Sequence, residues 1–376
     1  MTSTLMDEYQ RSAQAELAQA HCLPLAVYHD AAVYEAEIAA VFHNDWVFAC
    51  TEDQLANAGD YLALTIAGEP LVIIRGADGE LRALSNICRH RGTLLLEAGY
   101  GQVQKNIVCP YHAWTFTDTG ALKGAPMTGD IQVDKQQHCL PHFALACWQG
   151  LIFVNLSDAP EPFATKIAGL EKHLVDFDLS RFKHAYQTDT EHWHSNWKLA
   201  VENGIESYHL FKVHKETLET ITPTRKAYYI EGNTQWSLTG GEMMDTRGKL
   251  EKFLTGSYPD IYNHYRLIFL PPSFIGVLTY DGFNWIHILP EGPEHCSVTP
   301  GGLLEYKIKD YESTEFQFTH QFLAEDKLIC ERVQQGMRAR KGKGGKLVSM
   351  EQILVDFHQY LAGRLAKTPA EAEEHR

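Results

Sequence analysis

The sequence predicts an α+β protein of two domains, a small all-β domain followed by a larger domain of helices and strands. At 376 residues the chain is long for a single hydrophobic core. Between residues 61 and 155, short β runs alternate with Gly, Pro and Asp turns. After residue 161, apolar stripes with helical spacing alternate with further β runs, a mixture typical of α+β proteins.

Changes of pattern divide the chain into four segments. We expect an N-terminal helical segment at 1–43, the β domain at 44–160, the α+β domain at 161–365 and a flexible tail at 366–376. Asp30 is a suitable N-cap for an amphipathic helix that ends near His43. A stretch containing two prolines, residues 157–162, is the candidate linker between the domains.

Each domain has its own series of predicted elements. In the β domain we expect strands at 61–66, 71–75, 81–87, 114–117 and 150–155. In the larger domain we expect helices at 166–175, 196–211, 315–337 and 349–364. Ser349 and Gln352 suggest a capping box for the last of these. Between the helices we expect strands at 227–230, 235–239, 265–270, 274–280, 285–289 and 302–308.

Composition excludes several classes of function. The formal net charge is −15, from 33 basic and 48 acidic residues, which argues against a nucleic-acid partner. No signal segment opens the sequence, and the most apolar stretch, 267–280, is too short for a membrane span and contains Pro271 and Pro272. We therefore expect a cytoplasmic protein with no membrane partner. Six scattered cysteines are expected to be reduced thiols: Cys22, Cys50, Cys139, Cys147, Cys296 and Cys330.

Two Cys/His pairs form the most informative motif. Cys88 and His90 are followed, after eighteen residues, by Cys109 and His112. Two thiolates and two imidazoles suit a Rieske 2Fe-2S cluster, in which one iron has Cys ligands and the other has His ligands. The alternative is a structural zinc site, but such sites usually place a Cys pair before a His pair. The pattern therefore favours the cluster.

A second group of polar residues lies in the predicted helix at 196–211. Glu202, Glu206 and His209 would share one helix face, with Asn203 beside it. His214 lies five residues after His209, so the helix must end or bulge between them if both bind one metal.

A carboxylate that could complete this site lies in the helix predicted at 315–337. Asp326 falls on the apolar stripe of that helix, whereas its neighbour Glu325 does not. A carboxylate on a buried face is costly unless it is paired or bound to a metal. Two His and one carboxylate form the facial triad of non-heme Fe(II) enzymes. The alternative is an Asp paired with a core Arg or His.

These motifs, with Asn196-Trp197-Lys198, resemble the catalytic α-subunit of Rieske non-heme iron oxygenases, the ring-hydroxylating oxygenase family. The resemblance implies an N-terminal Rieske domain, a C-terminal helix-grip domain (an antiparallel sheet with helices) and a head-to-tail homotrimer. It implies that His209, His214 and Asp326 bind mononuclear Fe(II). The family usually has Gly at the position of Ala113, and many members have Asp at that of Glu206.

The resemblance also implies how electrons move. Glu206 would bridge His112 of one subunit and His209 of the next, and we include Asn203 with Glu206 as catalytic. O2 would be the co-substrate. Because no nicotinamide or flavin motif is evident, electrons would come from a separate NAD(P)H-dependent reductase, directly or through a ferredoxin.

The sequence constrains the substrate least. Aromatic pocket residues would suit an arene or a quaternary ammonium group equally, and the alternative is that they are ordinary core. The predicted pocket residues are Phe211, Phe274, Tyr280, Phe283 and Trp285. The chain is shorter than typical arene dioxygenase α-subunits. Its 356–361 segment, together with Glu206, is similar to the branch that acts on choline, carnitine and betaines. Hydroxylation of an aromatic acid or arene, and electron transfer without oxygenase activity, are the alternatives.

Overall fold

The computed structural model describes residues 2–245, 259–308 and 314–366, which form two compact units. One unit runs from Phe42 to Glu161. The other combines the described residues up to Val41 with those from Pro162 onward. Apart from Ala366, the predicted tail lies outside the described residues. Within the described ranges, no helix has the length and apolar character that crossing a membrane would require.

The smaller unit is all-β and contains two antiparallel sheets. The seven-stranded sheet has the order β1-β10-β9-β4-β3-β2-β5, and the three-stranded sheet has the order β6-β7-β8. The strands are β1 Val47–Thr51, β2 Asp60–Ile66, β3 Glu69–Arg75, β4 Leu81–Ser85, β5 Gly99–Gln102, β6 Ile107–Val108, β7 Thr115–Phe116, β8 Leu122–Gly124, β9 His142–Trp148 and β10 Leu151–Asn155. Several strands are rich in apolar, β-branched and aromatic residues, and the turns between neighbouring strands use the positive-φ glycines Gly68, Gly79, Gly120 and Gly150.

The larger unit contains an eight-stranded antiparallel sheet with the order β11-β18-β17-β16-β15-β14-β13, and β12 also pairs with β18. Its strands are β11 His184–Gln187, β12 Glu191–Trp193, β13 Ala227–Gly232, β14 Ser237–Glu242, β15 His264–Leu270, β16 Phe274–Leu278, β17 Gly282–Gly292 and β18 His295–Leu304. The described α-helices are α1 Thr2–Ala13, α2 Ala31–Glu37, α3 Phe163–Lys166, α4 Trp197–Ile205, α5 Leu210–Val213, α6 Leu218–Ile221, α7 Thr314–Met337 and α8 Gln352–Ala366. The predicted α+β class is confirmed.

Three helix predictions need correction. The helix predicted at 166–175 is wrong, because Gly169 adopts a φ of +83° between short helical turns. The helix predicted at 196–211 ends at Ile205. The capping box is one residue off, because Glu351 accepts a 2.7 Å hydrogen bond from the Val348 N–H. The Asp30 N-cap of α2 is present, and the segment after α2 continues as a π-helical turn.

Helices cover one face of the eight-stranded sheet, which we call the helix-side face. A Cβ on Gly204 of α4 would lie 2.6 Å from Ile275 Cδ1 on β16. The Phe357 ring of α8 lies 5.3 Å from that of Phe269, which pairs with Ile275 across β15 and β16. Because strand residues alternate between faces, these two contacts assign the residues that pair in regular register with Ile275 and Phe269, up to the bulges in β13 and β17, to one side or the other.

A buried ion pair anchors α4. Lys198 Nζ lies 2.8 Å from Glu37 Oε2, and both side chains are fully buried. Glu37 also accepts hydrogen bonds from Trp197 Nε1 at 3.0 Å and Tyr9 OH at 2.9 Å. These bonds compensate for the burial of the carboxylate and fix the start of the helix whose far end leads to the candidate metal ligands.

Candidate metal centres

Cys88 and Cys109 each begin a hairpin turn, and the two turns have the same backbone pattern. The Cys88 N–H donates to the Thr93 carbonyl at 2.8 Å, and the Gly92 N–H donates to the Cys88 carbonyl at 3.0 Å. The Cys109 turn repeats both bonds, with Trp114 and Ala113 at the matching positions. Gly92 and Ala113 both adopt positive φ, +74° and +57°. Ala113, which stands where the family usually has Gly, therefore occupies a position whose backbone conformation favours glycine.

The two turns bring the four predicted cluster residues together. The Cys88 and Cys109 side chains are hydrogen-bonded to each other and are 2% and 3% exposed. The His90 and His112 rings lie 4.7 Å apart, and both residues are exposed. Thiols inside and imidazoles outside match a cluster whose His-ligated iron faces the surface.

The second site begins where α4 ends. Glu206 has extended backbone angles, and its carboxylate accepts the backbone N–H groups of Tyr208 and His209. This capture stops α4 and starts α5, a single turn with His209 at its N-cap and His214 at its C-cap. The prediction that Glu202, Glu206 and His209 share one helix face is therefore wrong. One helical turn between the two His nevertheless directs both rings to the same side.

His209, His214 and Asp326 converge. One possible ligand atom from each lies within 4.8 Å of the others. His214 Nε2 lies 2.9 Å from Asp326 Oδ1, and His209 Nε2 lies 3.5 Å from the same oxygen. Asn203 Nδ2 donates to that oxygen at 2.7 Å. These contacts match the alternative of an Asp paired with core His residues, and the same three side chains could form a three-ligand face suited to Fe(II).

A carboxylate holds the other nitrogen of each imidazole. His209 Nδ1 lies 2.5 Å from Glu206 Oε1, and His214 Nδ1 lies 2.8 Å from Glu325 Oε2. Thr217 Oγ1 donates to Glu325 Oε2 at 2.6 Å. Metal-binding His residues usually donate their second ring N–H to such a partner, which fixes the tautomer and the ring orientation.

The electrostatics of the site favour a cation. Burial lowers the pKa of His209, but hydrogen bonds to Asp326 and Glu206 outweigh it and raise that pKa to about 10. Burial raises the pKa of Asp326, but the two His hydrogen bonds bring it down to about 2. Three carboxylates around two imidazoles thus require positive charge, which a divalent metal supplies when the imidazoles are neutral. The residues present fit a mononuclear iron.

Three predicted pocket residues lie elsewhere. Phe274, Phe283 and Trp285 occupy the sheet face opposite the helix-side face, because they alternate with Ile275 and its pairing partner Ile286. All three are at most 2% exposed. The structure therefore corrects our placement of them in the pocket and shows them as core.

The other two predicted pocket residues lie nearer the surface. Phe211 is half exposed on α5, between the two His. Tyr280 follows β16, and the Arg181 guanidinium lies 4.2 Å from its ring centroid.

The contact between Glu325 and His214 was not predicted from the sequence. Helical spacing correctly separated Glu325 from the buried stripe but gave no sign that it holds His214. Its position directly before a predicted ligand was the only available signal.

Comparison with known proteins identifies the family. A model described as "Rieske [2Fe-2S] domain" matches residues 45–143, and one described as "Ring hydroxylating alpha subunit (catalytic domain)" matches residues 179–367. The second match alone spans half of the chain. The chain belongs to the Rieske ring-hydroxylating oxygenase family. Membership brings a Rieske 2Fe-2S cluster, a mononuclear iron and O2 as co-substrate, and it excludes an electron carrier without a catalytic domain.

Similar proteins include two kinds of monooxygenase subunit. The carnitine monooxygenase oxygenase subunit of Escherichia coli (strain K12) is 28% identical over 92% of this chain and 94% of its own length. The glycine betaine monooxygenase oxygenase subunit of Pseudomonas aeruginosa is 35% identical over 53% of this chain. That alignment covers 46% of the glycine betaine relative, about half its length.

Solved structures share the fold of the whole chain. An inhibitor complex of a quaternary ammonium Rieske monooxygenase superposes with a TM-score of 0.82 at 23% identity, covering 95% of this chain and 98% of that one. Naphthalene 1,2-dioxygenase from Rhodococcus has a TM-score of 0.78 at 21% identity, covering 97% of this chain and 100% of that one. These likenesses confirm the two-domain architecture.

Proposed function

We propose that this chain is the oxygenase component of a multicomponent system that hydroxylates or oxidatively demethylates a small quaternary ammonium compound. Electrons would come from a separate NAD(P)H-dependent reductase, directly or through a ferredoxin. The observation that carries this proposal is the similarity to carnitine monooxygenase oxygenase subunits over nearly the full length of both chains. The partial match to glycine betaine monooxygenases points to the same substrate class.

Two sets of residues hold the metals in this proposal. The cluster ligands are Cys88, His90, Cys109 and His112, and the mononuclear iron ligands are His209, His214 and Asp326. When bound, the cluster supplies single electrons and the mononuclear iron supplies O2 activation. Asn203 orients the Asp326 carboxylate, while Glu206 and Glu325 hold the two imidazoles by their Nδ1 atoms.

Glu206 has a second role in the proposal. In a head-to-tail homotrimer, its carboxylate would contact His209 of its own chain and His112 of the partner subunit. The 2.5 Å contact with His209 supports the first half of this bridge. The exposure of the His112 ring supports the second half, since an exit ligand must be reachable from another subunit.

An aromatic acid is the second candidate substrate. The anthranilate 1,2-dioxygenase large subunit of Acinetobacter baylyi is 29% identical over 54% of this chain, covering 44% of its own length. The placement of Phe274, Phe283 and Trp285 in the core removes a lining that would have suited an arene and a quaternary ammonium group equally, so it does not separate the two candidates.

Purified oxygenase combined with an NAD(P)H-dependent reductase from a Rieske oxygenase system tests the substrate class. We expect O2 uptake to depend on a quaternary ammonium compound, and hydroxylation beside nitrogen to release either formaldehyde or the free amine. Asp326→Ala is the control and should abolish uptake. Hydroxylation of an aromatic acid, with no response to any quaternary ammonium compound, would contradict the proposal.

A further inference from the structure

One row of paired residues crosses the helix-side face of the eight-stranded sheet beside the candidate iron site. We call these residues the transverse row: Tyr186, Gly302, Asn284, Val277, Leu267 and Thr239. The strand register places them on the same face as Ile275, which contacts α4.

Two contacts locate the transverse row relative to the iron ligands. On one side of the transverse row, Ile275 lies against Gly204 near the end of α4. Beyond the transverse row, Tyr265 hydrogen-bonds with Ser207, two residues before His209. The transverse row therefore runs beside the segment that connects α4 to the iron site.

The middle of the row is open. Asn284 and Val277 lie on internal strands, yet both are partly exposed. On the opposite face of β17, Phe283, Trp285 and His287 are at most 6% exposed. An internal strand that is closed on one face and open on the other indicates a space between the sheet and the helices. We take this space as the substrate cavity.

A polar pair lies in this open part of the row. Tyr186 OH donates a 2.7 Å hydrogen bond to Asn284 Oδ1. Gly302 makes room for the pair, because a Cβ there would lie 2.4 Å from Tyr186 Cε1 and 2.6 Å from Asn284 Oδ1. The amide oxygen is thus occupied, and no described residue accepts a hydrogen bond from Asn284 Nδ2. The pair presents an N–H donor to the cavity.

We infer that Asn284 Nδ2 binds the carboxylate of a zwitterionic quaternary ammonium substrate, and that Tyr186 is a positioning residue that fixes the amide orientation. This inference rests on the proposed function and narrows it from quaternary ammonium compounds to those that carry a carboxylate. A charged acceptor gains more from a fixed donor than a neutral hydroxyl does. The pair therefore favours betaines over choline-type alcohols.

Asn284→Asp tests the inference because it keeps the side-chain shape and replaces the donor with a carboxylate. We expect the KM and the dissociation constant for glycine betaine to rise about tenfold to a hundredfold. The kcat at saturation should change less, and the KM for choline should not rise. Tyr186→Phe frees the amide. It should raise the KM for glycine betaine relative to the KM for choline, by a smaller factor than Asn284→Asp does.

Asn233→Asp is the matched control. It makes the same chemical change in an exposed turn, where the side-chain oxygen accepts the N–H groups of Gln235 and Trp236 and a carboxylate can do the same. An equal rise in KM for both compounds, or no rise for either, would overturn the inference while wild-type turnover upheld the proposed function. Wild-type protein that turns over no quaternary ammonium compound, carnitine included, would contradict both.

Discussion

The two candidate metal centres are built in different ways. In the cluster hairpins, backbone hydrogen bonds shape two matching turns, and all four side chains come from residues 88–112. In the candidate iron site, the proposed ligands at the ends of α5 and on α7 meet across a long sequence separation, and carboxylates contact both imidazoles. The hairpins should therefore respond to changes in backbone conformation, and the iron site to changes in neighbouring side chains.

The largest effect on stability is expected at the buried Lys198–Glu37 ion pair, which anchors α4. This helix leads to the candidate iron site and not to the cluster hairpins. Lys198→Met leaves Glu37 as a buried carboxylate without its cation, and should lower the free energy of unfolding by about 3–5 kcal/mol. Denaturant unfolding of the purified protein measures this. The double variant Glu37→Gln, Lys198→Met should recover much of the loss; a single variant as stable as wild type would show that the ion pair does not anchor the helix.

Glu206→Gln should separate electron delivery from metal binding. The single Gln oxygen can accept the His209 Nδ1–H but then leaves the backbone N–H groups of Tyr208 and His209 without the second carboxylate oxygen. Iron should therefore bind less tightly, as in Glu325→Gln, but remain bound when it is saturating, while turnover under that condition falls at least about tenfold. Glu325→Gln changes the corresponding partner of His214 and should regain turnover when iron is saturating. If both variants regain turnover equally, Glu206 has no role beyond holding His209.

Glu325→Gln should weaken the iron site itself. Loss of the charged partner of His214 is expected to lower the affinity for a divalent metal about tenfold to a hundredfold. Titration with Co(II) or Fe(II) measures this affinity, and the cluster spectrum should stay unchanged. An unaltered affinity would mean that Glu325 does not support the ligand.

Ala113→Gly should give the smallest effect and tests the hairpins. Removing a Cβ from a left-handed residue should stabilise the β unit by about 0.5–1 kcal/mol. Gly92→Ala, the same change reversed in the matching turn, should destabilise by a similar amount. Thermal unfolding followed through the cluster absorbance distinguishes them; shifts of equal sign would contradict the equivalence of the two turns.

The contrast between the centres also explains what the sequence could predict. The hairpin ligands lie close together in the sequence, so their spacing revealed the cluster motif directly. Asp326 was found because it interrupts an apolar stripe, and the end of a helix near His209 was required by its separation from His214. Each of these inferences used residues that lie close together in the sequence.

Inferences that depended on side chains or strand register were less successful. Helical periodicity extended α4 past Ile205 because it cannot detect a Glu206 carboxylate that captures the next N–H groups. The aromatic residues of β16 and β17 were chosen by composition, but pairing with neighbouring strands decides which face they occupy. The Asn284–Tyr186 pair joins strands that are far apart in the sequence, so no local pattern could reveal it.

The most direct test of the whole account is metal analysis with electron paramagnetic resonance of the dithionite-reduced protein, comparing wild type with Asp326→Ala. Wild type should contain about three irons and two sulfides per chain and give a Rieske signal. Asp326→Ala should contain about one iron fewer, keep the same signal and lose substrate-dependent O2 uptake. Absence of the Rieske signal from fully loaded wild type, or retention of the third iron in the variant, would contradict the account.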